Sequence, residues 1–388
     1  MRNQPQHIPF NRPFIVGHEL DYISEAVSDG WLAGDGKFTK KCQMWIEQEY
    51  NAKKALLTHS CTGALEMAAI LADVKPGSEV IMPSFTFVST ANAFVLRGAR
   101  IRFVDIREDT LNMNEDLLAE AINKNTAAIV PVHYAGVGCE MGRIMQVAED
   151  AGITVVEDAA QAIGAKYNDS YLGTIGHMGA YSFHETKNFI SGEGGALIIN
   201  DEKYIERAEI IREKGTDRAK FFRGEVDKYT WIDIGSSFLP SELTAAFLYA
   251  QLEHADQITS RRIQIHHHYM ESLKPLEESG FLRLPHLPSQ TTHNAHMFYI
   301  ISRSEKERDN LKEFLAQKDI HSVFHYVPLH QSPMGLQHSA LIKPLKVTEH
   351  MSSVLLRLPC FYELTREHQD EVISAIFQFF GQSYSPCT

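Results

Sequence analysis

Short apolar runs alternate with amphipathic stretches along residues 55–200 of the chain. The runs are rich in β-branched residues, whereas the stretches between them repeat apolar residues at helical spacing. This alternation predicts βαβ units that build a mostly parallel sheet. The predicted strands are residues 79–82, 100–105, 127–133, 153–157, 179–183 and 195–199.

A helix is predicted at residues 62–74, with a clear signal at each end. Pro76 and Gly77 follow it as a stop and a turn. The run Ser60-Cys61-Thr62-Gly63 opens it and supplies capping hydroxyls and free backbone N–H groups. Because a helix N-terminus concentrates unpaired donors and a partial positive charge, we expect an anion site there.

The apolar pattern changes after Tyr249, and a second, smaller α+β domain is predicted. Its elements are a helix at 250–276, a strand at 297–302 and helices at 305–317 and 367–380. A chain of 388 residues exceeds the roughly 250–300 residues at which single cores stop growing. We expect a large domain at 1–253 and a small domain at 254–388, with the N-terminal segment packing on the small domain.

The composition allows a cytosolic enzyme of ordinary make-up. The chain is 44% apolar, and 37 Lys and Arg against 49 Asp and Glu give a formal charge of −12. Since no basic stripe accompanies this charge, a nucleic-acid surface is not expected. Residues 1–13 lack the pattern of a signal peptide, and no stretch approaches the roughly 20 apolar residues of a membrane helix. We therefore expect a soluble, cytoplasmic protein.

Neither a metal site nor a disulfide framework is expected. His266, His267 and His268 fan over about 200° of a predicted helix, so they cannot easily share one metal. Residues 34–37 lack the spacing of a phosphate loop, and the pair His184-Glu185 lacks the second histidine of a zinc-protease helix. The cysteines are odd in number and lack close pairs. Reduced thiols are expected at Cys42, Cys61, Cys139, Cys360 and Cys387.

A carboxylate and an amide follow the strand predicted at 153–157. Asp158 stands at the carboxyl end of that strand, where parallel sheets bind ligands. Alternatively, Asp158 simply caps a helix that begins at Ala159. Gln161 favours the ligand interpretation, because one helical turn would place it beside Asp158. A flat ligand could then receive a salt bridge from one residue and a hydrogen bond from the other.

Lys187 lies in the run Ser182-Phe183-His184-Glu185-Thr186-Lys187-Asn188, which follows another predicted strand. A lysine in this place is usually a solvated loop residue. The upstream carboxylate and amide favour a catalytic role instead, because the three groups together are what an enzyme needs to hold and tune pyridoxal phosphate. Ser182 and His184 alternate with Phe183, so their side chains leave the strand end on the opposite face from the phenyl ring.

Aromatic side chains follow the strand predicted at 79–82. Phe87 could lie on a planar ring by offset stacking, which is worth roughly 0.5–1.5 kcal/mol beyond its burial. Core packing is the alternative, and it suits Phe85 better than Phe87.

Motifs spread over nearly the whole chain resemble, in order, those of the DegT/DnrJ/EryC1/StrS family of sugar aminotransferases. The matching segments are 60–65, the segment around Phe87, Val132-His133-Tyr134-Ala135-Gly136, Glu157-Asp158-Ala159-Ala160-Gln161, 182–188, Gly192-Glu193-Gly194-Gly195 and 325–330. The segments 227–231 and 233–237 are part of a closer likeness to bacterial transaminases that act on dTDP-4-oxo-6-deoxyglucose.

The resemblance implies a fold-type I α/β transferase dimer that uses pyridoxal 5'-phosphate and has its sites at the subunit boundary. It implies that Lys187 is the Schiff-base lysine, that Asp158 pairs with the pyridinium nitrogen and that Gln161 contacts the ring's 3-oxygen. The phosphate contacts it implies are Ser182, Thr62 and the backbone N–H of Cys61. Phe87 would cover the ring.

The partner subunit's contact to the phosphate departs from the family pattern. Many members have an asparagine two residues after the glycine that corresponds to Gly235, and an arginine two residues further on. This chain has Ser237 and Leu239 there. A hydroxyl of Ser236 or Ser237 could still donate to the phosphate.

The substrates implied by the resemblance are glutamate and a dTDP-keto sugar, with dTDP-4-amino-4,6-dideoxygalactose as product. The gluco epimer and a 3-amino sugar remain open, as do a dehydratase and a non-catalytic regulatory protein. Lys187 favours amino transfer, because dehydratase relatives carry histidine in its place. Candidate contacts to the sugar or diphosphate, each equally compatible with a structural role, are His184, Lys228, Tyr229, His325 and Tyr326.

Overall fold

A computed structural model describes residues 7–384 of the chain. Its strands are β1 (Lys54–Thr58), β2 (Glu79–Pro83), β3 (Arg100–Val104), β4 (Thr126–Ile129), β5 (Thr154–Asp158), β6 (Lys166–Tyr167), β7 (Ser170–Tyr171), β8 (Met178–Ser182), β9 (Gly195–Ile199), β10 (Leu282–Arg283), β11 (Thr291–Thr292), β12 (Phe298–Ser302) and β13 (Leu355–Leu358). Its α-helices are α1 (Glu19–Ser28), α2 (Lys37–Glu49), α3 (Cys61–Leu71), α4 (Val88–Val95), α5 (Leu118–Ala121), α6 (Met141–Ala151), α7 (Ile205–Arg212), α8 (Arg218–Phe222), α9 (Glu242–Leu252), α10 (Ala255–Glu278), α11 (Glu305–Ala316), α12 (Pro333–His338), α13 (Lys346–Val354) and α14 (Arg366–Phe379).

The large sheet has the strand order β1-β9-β8-β5-β4-β2-β3. Within it only β9 is reversed, since β1 and β8 both pair with it in antiparallel register and the other pairs are parallel. Both faces are covered: Leu56 and Leu197 pack into one apolar cluster, whereas Leu57 and Ile198 pack into another. The predicted α/β fold with a mostly parallel sheet is confirmed. Its consequence for function is that β1, β2, β4, β5 and β8 end at the same edge.

A small antiparallel sheet, β10-β12-β13, forms the core of the C-terminal part with α10, α11 and α14. The N-terminal segment joins this core rather than the large sheet. Ile8 is fully buried there, and its backbone N–H donates to the carbonyl of Asp319 at 2.9 Å. The segment then passes the cavity described below, where Phe10 and Asn11 form part of the wall.

Three predicted elements differ from the structure. The helix predicted at 250–276 is two helices, α9 and α10, separated at Glu253 and His254. The strand predicted at 127–133 ends at Ile129, because Pro131 has no N–H to donate to the ladder. No helix follows Asp158; Ala159–Ala165 form turns, and Gly164 takes a left-handed φ of +78° that ends any helical run.

The described residues contain no helix with the length and hydropathy needed to cross a membrane. Cys42, Cys61, Cys139 and Cys360 are free thiols in the structure. The thiol predicted at Cys387 lies outside the described residues.

Candidate active site

A cavity of about 380 Å³ lies at the edge where the parallel strands end. One wall is built by the segments that follow β1, β2, β5 and β8, and the other wall comes from the C-terminal part of the chain. This volume lies within the roughly 300–1,000 Å³ of small-molecule sites. Of the residues singled out from the sequence, those lining the cavity are Cys61, Thr62, Phe87, Asp158, Gln161, Ser182, His184, Lys187, His325 and Tyr326.

The N-terminus of α3 faces this cavity. Ser60 caps the helix, with its hydroxyl accepting a 3.0 Å hydrogen bond from the N–H of Gly63. Thr62 donates its hydroxyl to that of Ser89 at 2.9 Å. The N–H groups of Cys61 and Thr62, which precede the capped Gly63 in the first helical turn, have no acceptor within the helix and are available to an anion. Gly195 lets β9 pack closely against the start of α3, because a Cβ at this position would collide with the backbone of Ser60 and Cys61.

Asp158 carries a buried carboxylate at the end of β5. Its Oδ2 accepts a 2.6 Å hydrogen bond from the Thr90 hydroxyl, and its Oδ1 accepts from the N–H of Ala160 at 3.1 Å. Among the described residues it has no ion-pair partner. The helix-cap alternative is wrong, since a turn follows Asp158 instead of a helix. The carboxylate therefore faces the cavity with its charge uncompensated by a side chain.

Gln161 lies beside Asp158 through this turn rather than through a helical turn. Its Oε1 accepts from the N–H of Ala135 at 2.8 Å, and its Nε2 donates to the Tyr326 hydroxyl at 2.9 Å. Tyr326 stacks on His325 with ring centroids 3.7 Å apart, and His325 Nδ1 lies 3.1 Å from the Tyr134 hydroxyl. The amide is thus fixed in orientation by groups on both walls of the cavity.

Lys187 extends into the cavity from the loop after β8. Its backbone N–H donates to the carbonyl of His184 at 2.8 Å, which fixes the loop. Within residues 7–384 its amine has no hydrogen-bond or ion-pair partner. Burial lowers the pKa of this amine, and the charge of Arg357 acts in the same direction, against the opposing influence of Cys61 and Asp158. Loss of the proton, which a nucleophile or base requires, is therefore made easier.

Ser182 and Phe87 differ in how they meet the cavity. Ser182 is nearly buried at the end of β8. Phe87 precedes the first residue of α4 and is 59% exposed, whereas Phe85 is fully buried against Tyr134 and Tyr326. Phe85 is thus a core residue, and Phe87 is free to lie on a ligand.

The segment that follows α8 does not line the cavity of its own chain. Ser236 accepts a backbone hydrogen bond from Lys214, and Ser237 pairs with Glu213. The candidates from this segment that do not line the cavity are Lys228, Tyr229, Ser236 and Ser237.

Sequence patterns did not identify several polar residues of the site. Thr90 lay in the segment noted for its aromatics, but its hydrogen bond to Asp158 spans 68 residues. His296 lines the cavity, with Nδ1 lying 3.1 Å from Asn188 Oδ1, and burial lowers its pKa well below the usual value. Arg357, on β13, lines the opposite wall.

The donor set fits pyridoxal phosphate. The free N–H groups of α3 and the hydroxyls of Thr62 and Ser182 suit its phosphate. The buried carboxylate of Asp158 suits its ring nitrogen, and the uncharged amide of Gln161 suits a ring oxygen. The amine of Lys187, which lines the same cavity, suits its aldehyde carbon, because a primary amine can form an imine with an aldehyde.

Known proteins match this chain over nearly its full length. The model of the DegT/DnrJ/EryC1/StrS aminotransferase family matches residues 13–377. GDP-perosamine synthase of Escherichia coli O157:H7 is 29% identical, covering 97% of this chain and 99% of its own. The aminotransferase TlmJ from Streptoalloteichus hindustanus is 27% identical and superposes with a TM-score of 0.88, covering 96% of this chain and 99% of its own.

The Streptococcus pneumoniae protein Spr1654 is 25% identical over 96% of this chain and 98% of its own. Its PLP and PMP forms superpose with TM-scores of 0.88 and 0.89. From the family match and from the site, we conclude that the chain belongs to the DegT/DnrJ/EryC1/StrS aminotransferase family and that its cofactor is pyridoxal phosphate.

Proposed function

We propose that the protein moves the amino group of L-glutamate to C4 of dTDP-4-dehydro-6-deoxy-D-glucose. The products are dTDP-4-amino-4,6-dideoxy-D-galactose and 2-oxoglutarate. The observation that carries amino transfer is the meeting of Lys187, Asp158 and Gln161 in one cavity. A nucleotide sugar as acceptor is supported by the similarity to GDP-perosamine synthase. The choice of dTDP and C4 rests on the likeness of segments 227–231 and 233–237 to transaminases of that class.

The roles proposed for the cofactor contacts follow from their chemistry. Cys61, Thr62 and Ser182 hold the phosphate, and Phe87 covers the ring. Asp158 keeps the ring nitrogen protonated, since its carboxylate is buried and pairs with no cation among residues 7–384. When bound, the cofactor supplies a carbonyl carbon for the amino group and a ring that accepts electrons from the bond being broken.

Lys187 is the proposed acid and base. Its Nζ, once neutral, takes the proton from the α carbon of glutamate in the first half-reaction. In the second half-reaction it gives a proton to C4 of the sugar. The face of C4 that meets Nζ therefore decides between the galacto and gluco products. Proton transfer by a positioned group of this kind contributes about 10²–10⁴-fold to a rate.

We also propose that the working form is a homodimer, with Ser236, Ser237, Lys228 and Tyr229 serving the partner's cavity. Two observations support this. These residues do not reach the cavity of their own protomer. Their segment also exposes apolar side chains, notably Trp231 at 77% and Ile232 at 50%. Burial of such a surface is a usual reason for stable association.

The decisive experiment is incubation with L-glutamate and a panel of dTDP- and GDP-linked keto sugars, followed by mass spectrometry and NMR of the product. We expect turnover of dTDP-4-dehydro-6-deoxy-D-glucose to a C4 amine of galacto configuration. Turnover of a GDP-linked sugar alone, or an amine at C3, would replace the proposed substrate. Absence of transfer to every sugar would contradict the function.

A further inference from the structure

Arg357 places a guanidinium in the wall of the cavity opposite the parallel strands. Its backbone is fixed on both sides: it pairs with Tyr299 on β12, and its N–H donates to the carbonyl of Val323 at 2.7 Å. The side chain lies over the ring of Phe10, with Cζ 4.6 Å from the ring centroid. A rigid strand and an aromatic surface thus hold the cation beside the cavity.

This guanidinium has no anion of its own among the described residues. No carboxylate lies within 4 Å of it, and its Nε is buried without a hydrogen-bond acceptor. The buried Arg262 shows the usual solution, because it donates to the carbonyls of Ala295, His296 and Cys360. Arg357 is partly buried, and leaving a cation with a buried, unbonded Nε without an anion is costly; a ligand that brings an anion relieves that cost.

Of the residues that the structure describes, Lys187 is the lysine and Arg357 the arginine that line the cavity. The two charges interact, since Arg357 makes the Lys187 amine easier to deprotonate. The α-carboxylate of an amino acid is attached to the carbon from which Lys187 takes its proton. The diphosphate of a nucleotide sugar is several bonds away from C4. A cation near Lys187 therefore suits the carboxylate better than the diphosphate.

We propose that Arg357 binds the α-carboxylate of the amino donor and so orients its α-proton toward Lys187. The planar guanidinium can form two parallel hydrogen bonds to a carboxylate. This proposal rests on the proposed function, in which glutamate is the donor. Arg357 then makes the cavity accept α-amino acids in the first half-reaction.

The test compares Arg357→Gln and Arg357→Lys with wild type and with Arg303→Gln. Arg303 is an exposed arginine of the same part of the chain that pairs with Glu307 and does not line the cavity. The first half-reaction is followed with glutamate through the cofactor's absorbance, and the second with the sugar. The PLP-loaded enzyme is also titrated with 2-oxoglutarate by calorimetry, which measures binding without turnover.

We expect Arg357→Gln to raise the KM for glutamate and the Kd for 2-oxoglutarate by about 10- to 100-fold, as for loss of a charge-assisted hydrogen bond. The values for Arg357→Lys should fall between those of wild type and Arg357→Gln, because lysine keeps the charge but cannot form the two parallel hydrogen bonds. The KM for the sugar and the Arg303→Gln kinetics should stay within about threefold of wild type, since neither involves this contact.

A comparison of two amino donors on the same variant separates a lost contact from a folding defect, because a folding defect would lower the activity with both donors. Wild type should prefer glutamate to isoglutamine, whose α-carboxylate is an amide, and Arg357→Gln should lose that preference. A preference unchanged in Arg357→Gln would overturn the proposal. So would an unchanged KM for glutamate with a shifted pH profile, or a raised KM for the sugar alone. If wild type transferred no amine from glutamate to any sugar, the proposed function itself would fail.

Discussion

The side-chain amide of Gln161 donates a 2.9 Å hydrogen bond to the hydroxyl of Tyr326. The two residues come from opposite walls of the cavity: Gln161 follows β5 of the large sheet, and Tyr326 lies between α11 and α12. The bond therefore ties the C-terminal part of the chain to the turn that carries Asp158. It also leaves Gln161 a single orientation, because Oε1 is occupied by Ala135.

Tyr326→Phe should weaken cofactor binding. The substitution removes the acceptor of the Gln161 amide and leaves only the bond from Ala135 to orient it, so the ring contact loses part of its positioning. We expect the Kd for pyridoxal phosphate to rise by about 3- to 10-fold, equivalent to one neutral hydrogen bond. This Kd is measured by titrating the apoenzyme with pyridoxal phosphate and following the absorbance. Tyr299→Phe is the control, since its buried ring has no described hydroxyl partner; an equal loss in both variants would contradict the positioning role.

Lys187→Ala should abolish turnover while leaving the protein folded. The reason is that no other described amine reaches the cavity, and loss of a proton-transfer group alone costs about 10²–10⁴-fold. Borohydride reduction followed by peptide mass spectrometry should attach the cofactor to residue 187 in wild type and to no residue in the variant. Lys53→Ala, at an exposed ion pair with Glu202, should behave as wild type. Normal turnover in Lys187→Ala would end the proposed mechanism.

Asp158→Asn should slow both half-reactions by at least about 10²-fold, because a neutral amide no longer holds the proton on the ring nitrogen. Thr90→Val makes a matched comparison. This variant keeps the carboxylate but removes the hydroxyl that donates to Oδ2 at 2.6 Å, so its half-reactions should slow less than those of Asp158→Asn. Stopped-flow absorbance of each half-reaction separates the two variants. Equal rates in Asp158→Asn and wild type would reduce Asp158 to a structural role.

Local patterns predicted the parts of this molecule that depend on local physics. The strand at 195–199 and the helix after Ser60 follow from apolar runs and a capping hydroxyl, and both occur in the structure. The helix expected after Asp158 does not occur, since the N–H groups of Ala162 and Ala165 donate to carbonyls three residues back and the chain forms turns there.

Contacts that span most of the chain gave no local signal. Arg357 stands in an ordinary apolar strand, LLRL, whose arginine is typical of a solvated position in a β-pattern. Its place in the cavity follows from the pairing of β13 with β12 and from the position of Phe10, more than 340 residues earlier in the chain. Such a placement depends on the tertiary fold, so periodicity does not reveal it.

Lys187→Met should stabilise the apoenzyme at neutral pH. Folding lowers the pKa of Lys187, chiefly by burial, from an ordinary value of 10.5. Below the lowered pKa both states carry the charge, and the folded state bears its full desolvation cost. As pH rises from the folded toward the unfolded pKa, the unfolded state binds more protons, so wild-type stability increases.

The gain from Lys187→Met should therefore be largest near neutral pH and shrink as pH approaches 10.5. Thermal unfolding of the wild-type and Lys187→Met apoenzymes between neutral pH and pH 10.5 measures this difference in stability. Lys53→Met, at an exposed lysine, should show no such trend. A variant less stable than wild type at every pH would show that the Lys187 amine is not penalised by burial.

Trp231→Asp should convert the proposed dimer to monomer. The indole is 77% exposed although its Nε1 donates to the carbonyl of Asp233 at 2.6 Å, which fixes the ring at the surface beside Ile232. A carboxylate there would have to be desolvated at an apolar interface, which costs several kcal/mol. Light scattering after size exclusion should give half the wild-type mass. Turnover should fall as well, since the partner's segment would no longer reach the cavity.

Ile342→Asp, at an exposed residue on another loop, should leave the mass unchanged. A wild-type mass in Trp231→Asp would exclude this segment from the interface.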